Sequence, residues 1–477
     1  MNADAAVVSF PVLLVGGLIA ASAVTYLLRG WERTTALLGA AYAAGWALWL
    51  WRTDFESPVR GLVPGLAAVD MTASFERIGF TLRLESGALP ILTVSFLLAA
   101  ATFVLAASVS QGRSFVPFMF ALLAGYAVVA LLTIGPLAPP LIVPMLLAGL
   151  SVAGAFILQA GRAANPAGPL RSFIPPLLAF PLFLVASWYI EQIPLNPQDV
   201  SPAFAAAQLM ALGLIVMLAP VPLHGAQPAA AQTAPPIVAV TLNLLYQLAV
   251  LHLLFRTVTA FEFTTQLAPL GVWLTWAGLI TAVWGGFAAA GTNHAGRLLG
   301  YTSLHDWGLI VLVLAVPGTR SWPLVLFLFG LRGVSLLTAA VGMSVLEDRV
   351  GGLHMDRLQG AGSRMPWNSA AFLLGGLGLA GFPLSAGFTG HWAALQIVAE
   401  TDWRPAAVVL LASGGAILGF VRLARVLYGP LLDRTMLREH AVNVALALVV
   451  LLLSASLAIA PQILDGPLSQ ALLAFSS

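Results

Sequence analysis

Apolar residues run along this chain in blocks of about twenty, set apart by short polar or proline- and glycine-rich interruptions. Fourteen such blocks can be drawn: 7–28, 35–51, 89–110, 114–133, 136–160, 172–190, 203–221, 236–255, 268–290, 298–316, 321–346, 367–398, 405–424 and 441–461. About twenty mostly apolar residues suffice to cross the hydrocarbon core of a bilayer as a helix. Inside lipid the backbone must satisfy its own hydrogen bonds, so the blocks predict helices. The short alternating strands of a transmembrane barrel are not present in the pattern. The expectation is an all-α polytopic bundle of about fourteen helices.

Two blocks are interrupted in the same manner. The seventh runs into "LAPVPLHGAQPAAAQTAPP" and the twelfth contains "GLAGFPLSAGFTGHW", five blocks further on. Proline- and glycine-broken spans at matching places in two halves predict inverted repeats with an ion path at their interface. The pattern divides the chain into N-terminal helices and an external loop (1–113), a first five-helix repeat (114–260), a second (261–430) and a C-terminal helix with tail (431–477). The polar stretch 52–88 is too short for a soluble domain, and its end, "FTLRLESGALP", alternates like a hairpin or an interfacial strip. "QILDGPLSQALLAFSS" predicts a brief interfacial helix.

Composition sharpens this reading. The chain of 477 residues is 60% hydrophobic and only 8% charged, against about 25% charged in soluble domains. It has no cysteine, which excludes thiolate metal sites, iron–sulfur ligation and disulfides. All 21 basic residues are arginine, a side chain that keeps its proton where a buried lysine would lose it. No basic arm suggests nucleic acid. The N-terminus lacks the positive region of a signal peptide and is expected to be a retained first span. Alternate loops hold thirteen arginines on one side and seven on the other, which predicts both termini outside the cytoplasm. Arg332 is left within a span.

Five stretches, in order, resemble the antiporter-like membrane subunits of respiratory complex I, membrane-bound hydrogenases and Mrp-type cation/proton antiporters. "LRLESGALPIL" is similar to that family's approach to its third helix, with Glu85 where aspartate is usual. "PLHGAQPAAAQTAPPIVAV", "GRLLGYTSLHDWGLIVL", "MDRLQGAGSRMPWNSAAFLLGGLGLAGFPLSAGFTGHW" and "FVRLARVLYGP" follow. The resemblance covers roughly residues 80 to 430 and implies the family's fold, a charged chain across mid-membrane, and partners among other membrane subunits.

The departures carry more information. A glutamate expected on the fifth helix falls at Pro139, a lysine on the seventh at Met217 and one on the eighth at Leu248, next to Gln247. Ala229 and Ala231 replace an expected aspartate and histidine. No acidic residue lies between Glu85 and Glu191. The second half keeps ionisable groups with changed chemistry: His391 at the twelfth-helix position, Arg332 at the eleventh, and His305 with Asp306 on the tenth.

Ionisable groups within a bilayer are costly and mark paths or buried pairs. His391 suits a proton relay, since its ordinary pKa lies near neutrality; the alternative is a neutral histidine bonded to a carbonyl freed by the break. Arg332 needs a counter-charge, for which Asp306 is the candidate, roughly one turn inside the tenth span. His305 is either in the path or at the water interface. His224 is placed at the end of the seventh helix as a contact of the break. His252 is expected near the interface, one turn before Arg256. Asn243, Tyr246 and Gln247 hold either a water chain or interhelical hydrogen bonds. The proton-path set is therefore His391, Arg332, Asp306, His305, Gln247 and His224. The histidines lack metal-ligand spacing, and no glycine-rich phosphate loop lies outside a span, so no metal, nucleotide or flavin is expected and any redox chemistry belongs to other subunits.

Three functions follow. The first is a subunit of a complex I-like (NADH-quinone oxidoreductase type) assembly in the inner membrane, moving protons coupled to electron transport. The second is a non-conducting scaffold of such a complex. The third is the membrane component of an ion or bicarbonate uptake system.

Overall fold

A computed structural model describes residues 6–52, 59–63, 67–77, 79–135, 141–159, 167–195, 197–317, 321–430 and 438–469. Pro139 and the end of the tail beyond Ser469 lie outside the described residues.

The apolar blocks become helices. They are α1 (Phe10–Leu27), α2 (Glu32–Trp51), α3 (Ala88–Ser108), α4 (Phe115–Leu131), α5 (Ile142–Gln159), α6 (Ile174–Gln192), α7 (Ser201–Met217), α8 (Ala226–Thr233), α9 (Pro236–Ala260), α10 (Leu270–Gly291), α11 (Ala295–Leu314), α12 (Ser321–Val350), α13 (Pro366–Leu379), α14 (Phe388–Thr401), α15 (Trp403–Leu427) and α16 (Ala441–Ile459). Each of the fourteen expected blocks meets one or more of them. Among the described residues, eight helices are long and apolar enough to cross a membrane and three shorter ones are apolar. The expected twelfth span is two helices, α13 and α14, divided at residues 380–387. The seventh likewise ends at Met217 and resumes as α8.

Small strands cap one end of the bundle. β1 (Ala6–Ser9) pairs in parallel with β3 (Ala67–Asp70), Val8 opposite Val69, and β2 (Val59–Val63) pairs antiparallel with the other edge of β3. The expected hairpin is present as β4 (Phe75–Arg77) and β5 (Phe80–Leu82), with Glu76 opposite Thr81. It is tied to the end of α4, where Arg83 donates its amide to Leu131 (2.8 Å) and Thr133 donates to Thr81 (3.0 Å). The tail continues as a turn of 3-10 helix over Pro461–Leu464.

Burial separates centre from rim. Most side chains of α9 and α11 are buried, whereas α1 and α16 bury few of theirs. Small residues allow the second half to pack backbone against backbone. A Cβ on Gly278 of α10 would sit 2.8 Å from the Gly308 carbonyl of α11, and one on Gly285 would sit 2.7 Å from the Tyr301 carbonyl. This tight pair fixes the face of α11 that carries the chemistry. α11 itself starts at His294, whose Nδ1 accepts the Arg297 amide (3.4 Å). Burial, with His354 and Arg297 nearby, pulls His294 down to about 4, so at neutral pH the ring stays an acceptor and the cap holds.

Candidate charged network

Residues three and four apart share a helix face. On α11 this puts Ser303, Asp306 and Trp307 side by side, all buried. Arg332, near the middle of α12, points at them with 1% exposure. Its Nη1 donates to the Ser303 carbonyl (2.8 Å) and to Asp306 Oδ2 (2.5 Å), its Nη2 to Ser303 Oγ (2.7 Å), and its Nε to Gln247 Oε1 on α9 (3.1 Å). A planar guanidinium spends its fixed fork of donors on several acceptors at once. It also lies 5.6 Å from the ring centre of Trp307.

The second carboxylate oxygen reaches the other broken helix. Asp306 Oδ1 is 2.8 Å from His391 Nε2 on α14. An ionised carboxylate only accepts, so Nε2 is the donor in this contact. Nδ1 faces the break. Gly381 has φ +68°, and a Cβ there would stand 2.5 Å from Nδ1; only glycine takes that backbone conformation without strain and leaves the ring its place.

His305 stands beside this network and points elsewhere. Its Nδ1 donates to the Ala282 carbonyl (2.8 Å) and its Nε2 accepts from the Ser413 hydroxyl (2.9 Å), so α10 and α15 hold it. Its ring centre is 6.0 Å from that of His391. It is fully buried, which corrects the expectation of a water interface: the polar "GTNHAGR" ends at Arg297, in the first turn of α11, and His305 lies more than two turns further in. Asp306 is mid-helix as well, not one turn from an end. His252 is also buried, at 3% exposure, which corrects its expected place near the interface; Ala130 of α4 lies against it, and one turn further on Arg256 pairs with Glu85.

Of the six expected path residues, the structure brings four into contact: Asp306, Arg332, His391 and Gln247. His224 is not among them. It lies in the turn before α8, half-buried, where its Nε2 accepts from Trp284 of α10 (3.0 Å). Asn243 donates to Gln247 (3.4 Å), and Tyr246 donates to the Met217 carbonyl at the end of α7 (2.9 Å). Tyr246 and Gln247 therefore make interhelical bonds, to α7 and α12, while the Asn243 contact stays within α9.

Ser303 and Trp307 were missed by sequence reasoning. Their signal was spacing: both share the face of Asp306. Trp307 Nε1 donates to the Leu218 carbonyl (2.9 Å), so α11 also holds the end of α7. Beside the network lies a cavity of about 90 Å³ whose lining includes Tyr126, Gln227, Asn243, Tyr246 and Ser303. That exceeds the roughly 10–15 Å³ of such space that a single water needs.

Residues 185–419 match the family described as NADH:quinone oxidoreductase/Mrp antiporter, transmembrane region. NADH-quinone oxidoreductase subunit N of Cereibacter sphaeroides is 33% identical over 216 residues, which cover 45% of this chain and 46% of that protein. The chain spans about half the length of the curated relatives it matches. Over its whole length the fold is similar to a chain of the membrane-bound sulfane sulfur reductase, an archaeal respiratory membrane complex (TM-score 0.81, 17% identity, 98% of this chain and 97% of that one). It is also similar to a chain of respiratory complex I from Thermus thermophilus (TM-score 0.76, 19% identity, 98% and 99%).

Proposed function

We propose that this chain is an antiporter-like membrane subunit of the NADH:quinone oxidoreductase/Mrp type and that it helps move protons across the bilayer within a larger complex I-like assembly. Electron transfer would belong to other subunits. The observation that carries the reading is the buried Asp306–Arg332–His391 network, which ends on a broken helix. His391 is its switchable member. Arg332 holds a fixed charge, and Asp306 balances it and receives the His391 proton contact. A proton arriving at Nδ1 through the break would charge the ring, and one leaving from Nε2 would discharge it. In the first half the cavity beside Asn243 and Tyr246 would hold water in place of the missing ionisable chain. The two five-helix repeats, 114–260 and 261–430, are proposed as the units between which the path runs. Both termini are proposed to lie outside the cytoplasm.

A second reading has its own support. Met217 and Leu248, which stand where the family resemblance expects lysines, are buried among apolar neighbours, as they would be in a scaffold that has lost proton transfer. One experiment separates the two: proton flux in vesicles holding the assembled complex, with the unmodified chain, His391→Ala or Asp306→Asn. Transport predicts a large loss of pumping in both variants with assembly intact. Unchanged pumping in both leaves the scaffold.

A further inference from the structure

We infer that Trp307 is a positioning residue that couples the charged network to the first broken helix, through its indole N–H on the Leu218 carbonyl and its ring against Arg332. The inference rests on the reading of that network as part of the proton path, and it assigns the first half a conformational part in it.

A helix that ends at membrane depth leaves carbonyls without intrahelical partners, and in lipid other protein groups must satisfy them. Three side chains fasten the break after α7. Tyr246 donates to the Met217 carbonyl, Trp307 donates to the Leu218 carbonyl, and Thr281 accepts the Val221 amide (3.1 Å). Between them Ala219 sits at φ +51°, a left-handed conformation that costs a residue with a Cβ and persists only while its surroundings hold it. Of the three fasteners, Trp307 is the one whose ring lies against Arg332. It is also next to Asp306 in the chain and shares a helix face with Ser303, so the groups Arg332 grips and the group that grips Leu218 move as one piece of α11. A change in the His391–Asp306 contact that shifts this face alters the bond to Leu218. The two broken helices are thereby joined: His391 belongs to the second, and Trp307 reaches the first.

The test reads backbone hydrogen exchange at residues 218–225 in the full chain, held in nanodiscs with its co-purifying subunits. His391→Ala is expected to raise exchange there about tenfold, the change that one lost net hydrogen bond makes in a local opening equilibrium. Trp307→Phe, which keeps an aromatic ring and removes the donor, is expected to raise it by itself. Adding His391→Ala in that background is expected to do nothing further. Thr281→Val loosens the break without touching the network, and in that background the His391 effect must survive. The coupling is overturned if His391→Ala leaves residues 218–225 at the unmodified rate, a result that needs no Trp307 variant to fold. It is overturned equally if the His391 and Trp307 effects multiply. Exchange is read without flux, so loss of pumping with an unmoved break sinks the coupling and spares the proton path.

Discussion

At the scale of single residues, the network is over-determined around Arg332. Its acceptors come from α9 and α11, and Asp306 carries the connection on to α14. A buried pair costs several kcal/mol of desolvation per ion, and removing one partner leaves the other charge uncompensated. Arg332→Gln is expected to destabilise the protein by about 3–5 kcal/mol, read as a drop in thermal unfolding temperature in detergent. Arg332→Lys is expected to fall well short of rescue, since one ammonium cannot reproduce the fork that meets Gln247, Ser303 and Asp306 together. The double variant Arg332→Gln/Asp306→Asn should recover part of the loss; strictly additive effects would mean that the two side chains do not act as a pair. Asp306, Arg332 and His391 were legible in the sequence because an ionisable group inside an apolar block is rare and needs a reason. Ser303 and Trp307 were not, because serine and tryptophan are ordinary in membrane helices. The direction of His305 was hidden by helix geometry: consecutive residues point about 100° apart, and His305 turns to α10 and α15 while Asp306 faces Arg332. His224 was grouped with the path through its place in a motif, whereas its partner Trp284 lies on α10, far along the chain.

At the scale of elements, the breaks are where local backbone and chemistry meet. Both were visible as proline- and glycine-rich interruptions, and both are present, one after Met217 and one between Leu379 and Phe388. What the pattern did not contain was how each break is held. Gly381 shows the principle. Its left-handed φ and the missing Cβ let His391 lie against the turn while Nε2 reaches Asp306. Gly381→Ala is expected to cost about 1–3 kcal/mol in backbone strain. It should also displace the imidazole and depress proton flux toward the level of His391→Ala, although His391 is intact. Flux equal to that of the unmodified chain, with the variant assembled normally, would show that the ring tolerates a shift and that its contact with Asp306 is not what limits transport.

At the scale of the whole molecule, helical class and the order of spans followed from block length alone, because lipid leaves the backbone few alternatives. The contact between α9 and α12 did not follow. Gln247 and Arg332 are 85 residues apart, and nothing in either block names the other. Orientation rests on arginine asymmetry, thirteen against seven, a bias that insertion follows because cationic loops stay on the cytoplasmic side. The chain has no cysteine, so single introduced thiols report topology without background. Thr34, exposed after α1, and Gln198, exposed before α7, fall on opposite sides of the expected membrane. In sealed right-side-out vesicles, Gln198→Cys is expected to react with an impermeant maleimide at once, and Thr34→Cys only after the membrane is opened. The opposite result would invert the chain. It would also reverse which face of the bilayer each broken helix opens toward, and with it the direction in which His391 would take up and release its proton.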